Sequence, residues 1–464
     1  MNINKHLCAV ISAALLLTFT ACSVPNPLSS TTDLSSTSTT PSTSTTPSTS
    51  TTPSTSTTPS TSTTPSTSTT PSTSTTPSTS TTPSTSTTPS TSATPSTSTT
   101  PSTSTTPSTS TTPSTSTAPS SSPVSNEPVT PKADDEYVII QGNKYYIETT
   151  TSLGISDYEG DVTNDDIKNA GKLKNLNNLW IRTNHNIDLS PISKLNNLTE
   201  LSISSVLYER SSFSDITPIK NLTQLTTLEI ASLHITNLDP LAELKNLTEL
   251  DLPLNKSLKD ISALSGLKNL TSLNFYCCDN LADISPLAGL TKLTTLEMEN
   301  CSVKDISPLS NLKNLTHLVI DSNYISDITP LSGLENLEYL SISNHVRYSN
   351  EGKWNSFTDI KPLSELKKLK QLWLFNTDVT NIEPISGLKK LNTLSLGYNS
   401  INDFSPISKL KNLVWLDLEK NSFDITLLAN LTKLEDLTIS SNRFSSNDIK
   451  WVKTNLPNCY INLC

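Results

Sequence analysis

KNLTELDL, at residues 245–252, recurs with small changes along the chain, as KNLTSLNF at 268–275, KNLTHLVI at 313–320 and KNLVWLDL at 411–418. Alignment of the leucines places repeat starts from Leu173 to Leu431 at a nearly constant interval. Two intervals are longer, from Leu195 to Leu222 and from Leu334 to Leu366. A short fixed period of this kind is typical of units that cannot bury their apolar face alone and therefore stack into a solenoid.

Each repeat has an internal order that predicts its local structure. The L-x-L segment alternates apolar residues with others and predicts a short strand. A Ser-Pro or Thr-Pro pair further on predicts a short helical turn, with Ser or Thr as the N-cap and Pro in the first helical position. Six asparagines lie three residues after the second apolar strand position, where a ladder of amides would satisfy backbone groups in the bend: Asn184, Asn255, Asn323, Asn399, Asn421 and Asn442.

The repeats, at residues 173–444, are flanked by two segments that predict caps. Residues 137–172 contain a hairpin pattern around Gln-Gly-Asn, a first strand and a helix over 163–170 with Asp165 and Asp166 in its first turn. Residues 445–464 predict a C-terminal cap made of a helix and a last strand.

The motifs L-x-x-L-x-x-L-x-L-x-x-N and D-I-x-P-L, with the capped N-terminal helix, resemble bacterial leucine-rich-repeat surface proteins of the internalin-like, 22-residue class. The resemblance covers about residues 137–464. It implies an α/β repeat fold, a leucine-rich-repeat solenoid with a curved parallel β-sheet on the concave face and short 3-10 or helical turns on the convex face. It also implies an adhesin or receptor on a bacterial surface. In this repeat class Cys substitutes for Asn in the ladder, which gives Cys278 and Cys301 a structural role.

The chain before the hairpin pattern has a different character. Residues 1–22 hold an apolar run too short to span a membrane, which is typical of a signal peptide. The run ends in Phe19-Thr20-Ala21-Cys22, which resembles a bacterial lipobox and implies lipidation of Cys22. Residues 23–136 contain thirteen hexapeptides of the pattern Pro-Ser-Thr-Ser-Thr-Thr, two of them with Ala93 or Ala118 in place of a Thr. These cannot bury apolar area, so a disordered tether is expected. Its glycosylation stays open.

Composition and motifs exclude several classes of function. A net charge of −10 argues against a nucleic-acid binder and against charge-driven attachment to anionic lipid. Seven cysteines are too few for a disulfide framework, and the five histidines form no metal-ligand motif. The regular Asp-Ile pairs beside the Ser-Pro turns fit a structural role better than cation binding. We expect no enzymatic activity, no metal and no cofactor.

The strand residues that flank the core leucines are expected to face the concave surface, where two patches emerge. The first, called the aromatic patch, consists of Tyr339, Trp373, Phe375 and Trp415. The insertion at 344–357, with Tyr348 and Trp354, is expected to lie beside it. Because exposed aromatic clusters mark binding sites, the aromatic patch is the predicted site, with Trp373 as its strongest anchor. The alternative is that the insertion buries these rings as local packing.

The second patch, called the acidic patch, consists of Glu229, Glu249, Asp251, Glu297, Glu299 and Asp321. We weigh it as a secondary binding surface against a solvated face that keeps the protein soluble.

These observations predict a monomeric binding protein that is anchored by a lipid on the extracellular face of a bacterial membrane and takes a protein ligand on its concave face. A carbohydrate-binding surface module, with Trp373 and Trp415 stacking on sugars, is the alternative. A scaffold or regulator of a surface enzyme is a further one.

Overall fold

The computed structural model describes residues 136–206, 213–345 and 354–464. The predicted signal peptide with Cys22, the Ser/Thr/Pro segment up to residue 135 and Tyr348 lie outside the described residues. An antiparallel hairpin opens the described part, with strands β1 (Tyr137–Ile140) and β2 (Asn143–Tyr146).

The remaining strands of the described residues form one parallel sheet of fourteen strands, in which each strand pairs with the next in sequence. The leucines lie in register: Leu296 pairs with Leu318, and Leu318 with Leu340. The expected solenoid is therefore confirmed. The strands are β3 Ser152–Ser156, β4 Asn178–Arg182, β5 Glu200–Ser204, β6 Thr227–Ala231, β7 Glu249–Asp251, β8 Ser272–Asn274, β9 Thr295–Glu297, β10 His317–Val319, β11 Tyr339–Ser341, β12 Gln371–Trp373, β13 Thr393–Ser395, β14 Trp415–Asp417, β15 Asp436–Ile439 and β16 Tyr460–Leu463.

Short 3-10 helices alternate with the strands, as the Pro-containing motif predicts. The predicted N-cap role of Ser or Thr was wrong. In the helices that contain this motif, the Ser or Thr is the first helical residue rather than the N-cap. At Ser285–Gly289 the N-cap is Ile284, which makes no side-chain cap, and the Ser285 N–H donates instead to Asp283 Oδ1 at 2.8 Å. The 3-10 helices are Ser190–Lys194, Thr217–Asn221, Asp239–Leu241, Ser262–Gly266, Ser285–Gly289, Ser307–Asn311, Thr329–Leu331, Lys361–Leu363, Glu383–Gly387, Ser405–Lys409 and Ile425–Asn430.

The aspartates of the Asp-Ile pairs are thus turn-forming residues. Asp260, Asp305 and Asp327 accept the equivalent N–H in their own repeats, and so does Asp403, which precedes Phe404 rather than Ile. Hydrogen bonds from Ser285 hold the pKa of Asp283 below its ordinary value. The structural role predicted for these residues is confirmed.

The amide ladder is confirmed at four of its six predicted positions. Asn255, Asn323, Asn399 and Asn421 donate to strand carbonyls of their own turn and of the preceding turn. The prediction for Asn442 was wrong, since its side chain is exposed, and the Oδ1 of Asn184 accepts from Ser205 Oγ. Cys278 Sγ and Cys301 Sγ each donate to a carbonyl of the preceding turn, at 3.2 Å and 3.3 Å, as expected for substitutes of Asn.

The long repeat also has a ladder asparagine, Asn355, which the regular spacing does not predict because it follows the insertion. Asn355 Nδ2 donates to Ile320 O at 2.9 Å, and its Oδ1 accepts from the Ile325 N–H at 3.0 Å. Asn344 bonds both backbone groups of Asn355 at 2.8 Å. The two amides therefore hold the two ends of the insertion together. Strand β12, after the insertion, pairs in register with β11, before it.

A helix that begins with a capping box lies near each end of the described solenoid. Helix α1 (Asn164–Ala170) begins with a capping box of Thr163 and Asp166, and helix α2 (Ser446–Asn455) with one of Ser445 and Asp448. Such reciprocal bonds satisfy two backbone donors at each helix start. Among the residues the structure describes, no helix has the length and apolar character required to cross a membrane.

Candidate functional site

The aromatic patch is organised around a pair of indoles. Trp373 lies in register between Ser341 and Ser395, whose side chains are small. Trp415 lies on β14, two strands from β12 and so roughly 9.6 Å away along the sheet. The ring centroids of Trp373 and Trp415 are nevertheless only 4.9 Å apart. The two indoles therefore lean toward each other across β13.

This arrangement changes the expected role of Trp373. Its side chain is only 6% exposed, whereas Trp415 is half-buried. The prediction that Trp373 is an exposed anchor was wrong, because the space over its serine neighbours lets the indole lie within the surface. Trp373 is a support on which Trp415 rests, and Trp415 is the more exposed member of the pair.

A second aromatic pair lies alongside, formed by Phe375 and Tyr398 with ring centroids 4.9 Å apart. Tyr398 is 38% exposed, and its hydroxyl donates to Glu419 Oε1 at 3.1 Å. Gly397 makes this packing possible, since a Cβ there would lie 2.8 Å from Asp417 Oδ2 and 2.9 Å from Phe375 Cδ2. Tyr398 was missed in the sequence because it lies one residue beyond the strand columns; the glycine before it was the available signal.

Tyr339 has a different aromatic partner from the other members of the aromatic patch. Its ring stacks on that of His317 on the adjacent strand, with centroids 4.1 Å apart and planes 20° from parallel. Burial, followed by the charge of Asp321, raises the pKa of the Tyr339 phenol above its ordinary value. Tyr339 thus lies where the aromatic patch and the acidic patch adjoin. Trp354, at the end of the insertion, is 39% exposed.

The acidic patch is less exposed to water than the hypothesis of a solvated face predicts. Glu299 and Asp321 are only 6% and 4% exposed. Asp321 accepts a hydrogen bond from Ser341 Oγ at 2.7 Å and lies 3.3 Å from His345 Nε2. Glu229 accepts from Ser202 Oγ at 2.8 Å. A freely solvated face is therefore the wrong description for Glu299 and Asp321, although Glu249 is exposed.

Burial and mutual repulsion change the protonation of this patch. Burial, with the charges of Glu229 and Glu297, raises the pKa of Asp251 to about 7. Burial and the charge of Asp321 raise the pKa of Glu299 to about 7. Because both values lie above those of the unfolded chain, the stability these groups contribute is present at low pH and is lost as the pH rises through about 7.

The described residues contain no group of three or more His, Cys, Asp or Glu side chains arranged to hold a metal ion. What the surface offers is aromatic area and carboxylate charge, the means of binding a ligand through contact and complementary charge.

Comparison with known proteins agrees with this architecture. A family model described as leucine-rich repeats (2 copies) matches residues 268–311, 291–333 and 367–409. A search of curated proteins finds no match. Among solved structures, an internalin (InlF) of Listeria monocytogenes is 29% identical, with 66% of this chain and 83% of that chain covered, at a TM-score of 0.54.

Two further solved structures are similar over parts of the chain. Internalin C2 of Listeria monocytogenes is 33% identical, with 44% of this chain and 76% of that chain covered, at a TM-score of 0.33. A leucine-rich-repeat protein of Leptospira interrogans is 22% identical, with 68% and 90% covered, at a TM-score of 0.46. The repeats, the register of the parallel sheet and the similarity to InlF together show that residues 136–206, 213–345 and 354–464 adopt a leucine-rich-repeat solenoid fold similar to that of an internalin.

Proposed function

We propose that the chain is a surface-anchored binding protein that takes a protein ligand on the concave face of its solenoid. The observation that carries this proposal is the partial exposure of three large rings, Trp415, Phe375 and Tyr398, on or directly after the neighbouring strands β12 to β14. The strands of a solenoid already bury their leucines beneath the sheet, so the core does not require aromatic rings on the opposite face.

The arrangement of these rings supports contact with a protein. The two indoles lean across β13, and Phe375 and Tyr398 pack together beside Gly397, so the rings lie as two pairs rather than as isolated side chains. Tryptophan and tyrosine are favoured among residues that dominate protein interfaces. Trp373, being buried, holds Trp415 in place and so limits the side-chain entropy lost on binding.

Trp415→Ala is expected to weaken binding of the protein ligand about thirtyfold, since truncation of an interface aromatic commonly costs about 2 kcal/mol. The chain from residue 23 onward, as the parent sequence and as the variant, is used to recover ligands from cell-surface proteins and is applied in parallel to a glycan array. Binding constants are then measured for the recovered ligand.

Tyr324→Ala is the matched control, because Tyr324 follows the ladder Asn323 and lies outside the concave columns. It is expected to leave binding unchanged. Equal affinity of the two variants would contradict a role for the aromatic patch. A glycan signal that disappears with Trp415→Ala would point instead to the carbohydrate alternative.

We also propose that a lipid on Cys22 holds the chain on the outer side of a bacterial membrane. The apolar run that ends at this cysteine supports the proposal. Cys22→Ala is expected to move most of the protein from the membrane fraction to the medium, while Cys8→Ala, inside the apolar run, is expected not to. Membrane retention of Cys22→Ala at the level of the parent protein would refute the lipid anchor.

A further inference from the structure

Charge is unevenly distributed over the solenoid. The acidic patch occupies the concave columns of β6 to β10, and the strand residues of β5 to β10 contain no Lys or Arg in these described segments. The lysines of the same repeats lie before the strands and bond elsewhere: Lys268 Nζ donates to Gly289 O at 3.2 Å, and Lys292 Nζ to Asn269 Oδ1 at 2.8 Å. The carboxylates of the concave face therefore have no lysine or arginine from these strands to neutralise them.

At the centre of the patch one carboxylate is incompletely satisfied. Glu299 is 6% exposed, and its Oε1 atom has no hydrogen-bond partner among the residues that the structure describes. Its neighbour Asp321, equally buried, accepts from Ser341 and lies next to His345. Leaving a buried acceptor without a donor is costly, and such a group calls for an explanation.

The surroundings of Glu299 indicate the missing donor. Glu297 lies two residues before it on the same face and is half-buried, and Asp251 on β7 is close enough to Glu297 for the two charges to repel. His317 Nε2 lies 3.7 Å from Glu297 Oε1, but burial lowers the pKa of this imidazole, which keeps it mostly neutral. Glu297 thus lies between the other two carboxylates, and a group that carries positive charge and several N–H donors would pair with it and with the unsatisfied acceptor of Glu299.

We propose that the acidic patch binds a lysine or arginine side chain of the protein partner, held by Asp251, Glu297 and Glu299. The proposal rests on the proposed function, because it assigns the chemistry of the segment that meets the concave face beside the aromatic patch. The stacked His317 and Tyr339 rings lie between these carboxylates and Trp415, so a partner segment that places an apolar side chain near Trp415 presents its basic residues toward β7 to β9.

The test compares two double variants with the same change of charge. Glu297→Gln with Glu299→Gln removes two carboxylates from the patch; Glu338→Gln with Glu383→Gln removes two exposed ones that pair with Lys370 and Lys409 away from it. The probe is a decapeptide rich in Lys and Arg, beside a decapeptide with Gln at those positions. Affinity is measured by fluorescence anisotropy at physiological ionic strength with the chain from residue 23 onward.

We expect the basic peptide to bind, the Gln peptide to bind at least tenfold more weakly, and the Glu297/Glu299 variant to lose tenfold or more in affinity for the basic peptide. The Glu338/Glu383 variant is expected to change less than twofold. Equal losses in both variants would show that only net charge matters and would overturn the proposal. So would equal binding of the two peptides. Should the Glu297/Glu299 variant fail to fold by circular dichroism, Asp251→Asn takes its place with the same expectation.

The ligand recovered with the aromatic patch separates this proposal from the proposed function. Loss of that ligand with Trp415→Ala, together with full retention of both ligand and basic peptide by the Glu297/Glu299 variant, would overturn the cation site alone. Retention of the ligand by Trp415→Ala would overturn the proposed function, whatever the peptide shows.

Discussion

Replacement of Trp373 by alanine is expected to lower the free energy of unfolding by about 3–5 kcal/mol, the usual range for a buried tryptophan. The indole is 6% exposed and packs against Trp415, so its removal leaves a cavity beneath that ring. Urea unfolding followed by circular dichroism measures the loss. Partner affinity is expected to fall as well, because Trp415 loses its support.

Trp180→Ala is the matched control, since Trp180 occupies the same strand column but is 37% exposed. Its indole lies over Gly154, where a Cβ would come within 2.0 Å of Trp180 Cε2. We expect a loss of roughly half that of Trp373→Ala, because much of this side chain already contacts water. Equal losses, or no loss at Trp373, would contradict the supporting role assigned to Trp373.

The comparison of Trp373 with Trp180 shows which features of the site the sequence can predict and which it cannot. The period-two pattern of each L-x-L segment placed both indoles on the same face, and the sheet register confirms it. The exposed fraction of each indole could not be predicted from its position in the strand. It depends on how far a ring leans across neighbouring strands, and the lean of Trp373 depends on Ser341, Ser395 and a tryptophan that lies two strands away.

Local patterns failed where two residues compete for one role. In turns such as Asp283-Ile284-Ser285-Pro286, a Ser and an Asp both stand before the proline, and both residue types are good N-caps by propensity. In the structure neither residue is the N-cap: Ile284 occupies that position, Ser285 is already the first residue of the 3-10 helix, and Asp283 Oδ1 accepts from the Ser285 N–H. Assigning these positions requires the backbone path, which a propensity does not supply.

In the asparagine ladder, the regular spacing after each strand is enough to predict a position, except where an insertion interrupts that spacing. Asn323 follows its strand by the regular spacing and was predicted. Asn355 fills the same role in the next repeat but follows the insertion, so only the contacts to Ile320 and Ile325 identify it. For the acidic patch, the sequence predicted which carboxylates share a face but not that Glu299 and Asp321 would be buried.

Asn323→Ala is expected to lower the free energy of unfolding by about 3 kcal/mol or more, because it leaves several buried backbone groups without their partner. The side chain is fully buried, and its Nδ2 donates to Met298 O at 2.7 Å, Asp321 O at 3.0 Å and Ile320 O at 3.2 Å. Its Oδ1 accepts from the Val303 N–H at 3.0 Å. Each unsatisfied group costs about 1–3 kcal/mol before relaxation. Urea unfolding measures the loss.

Two variants test whether the lost hydrogen bonds are the cause. Asn314→Ala removes one exposed bond, from its Nδ2 to Thr291 O at 2.8 Å, and is expected to cost about 1 kcal/mol or less. Asn323→Cys places at this position the residue that Cys278 and Cys301 supply in earlier turns, where a thiol donates to a strand carbonyl. It is expected to retain part of the stability that alanine loses, since one donor remains while the acceptor for Val303 is gone. A cysteine variant no more stable than the alanine variant would mean that the amide stabilises the turn through its oxygen alone. A loss no larger than that of Asn314→Ala would mean that the ladder contributes little to stability.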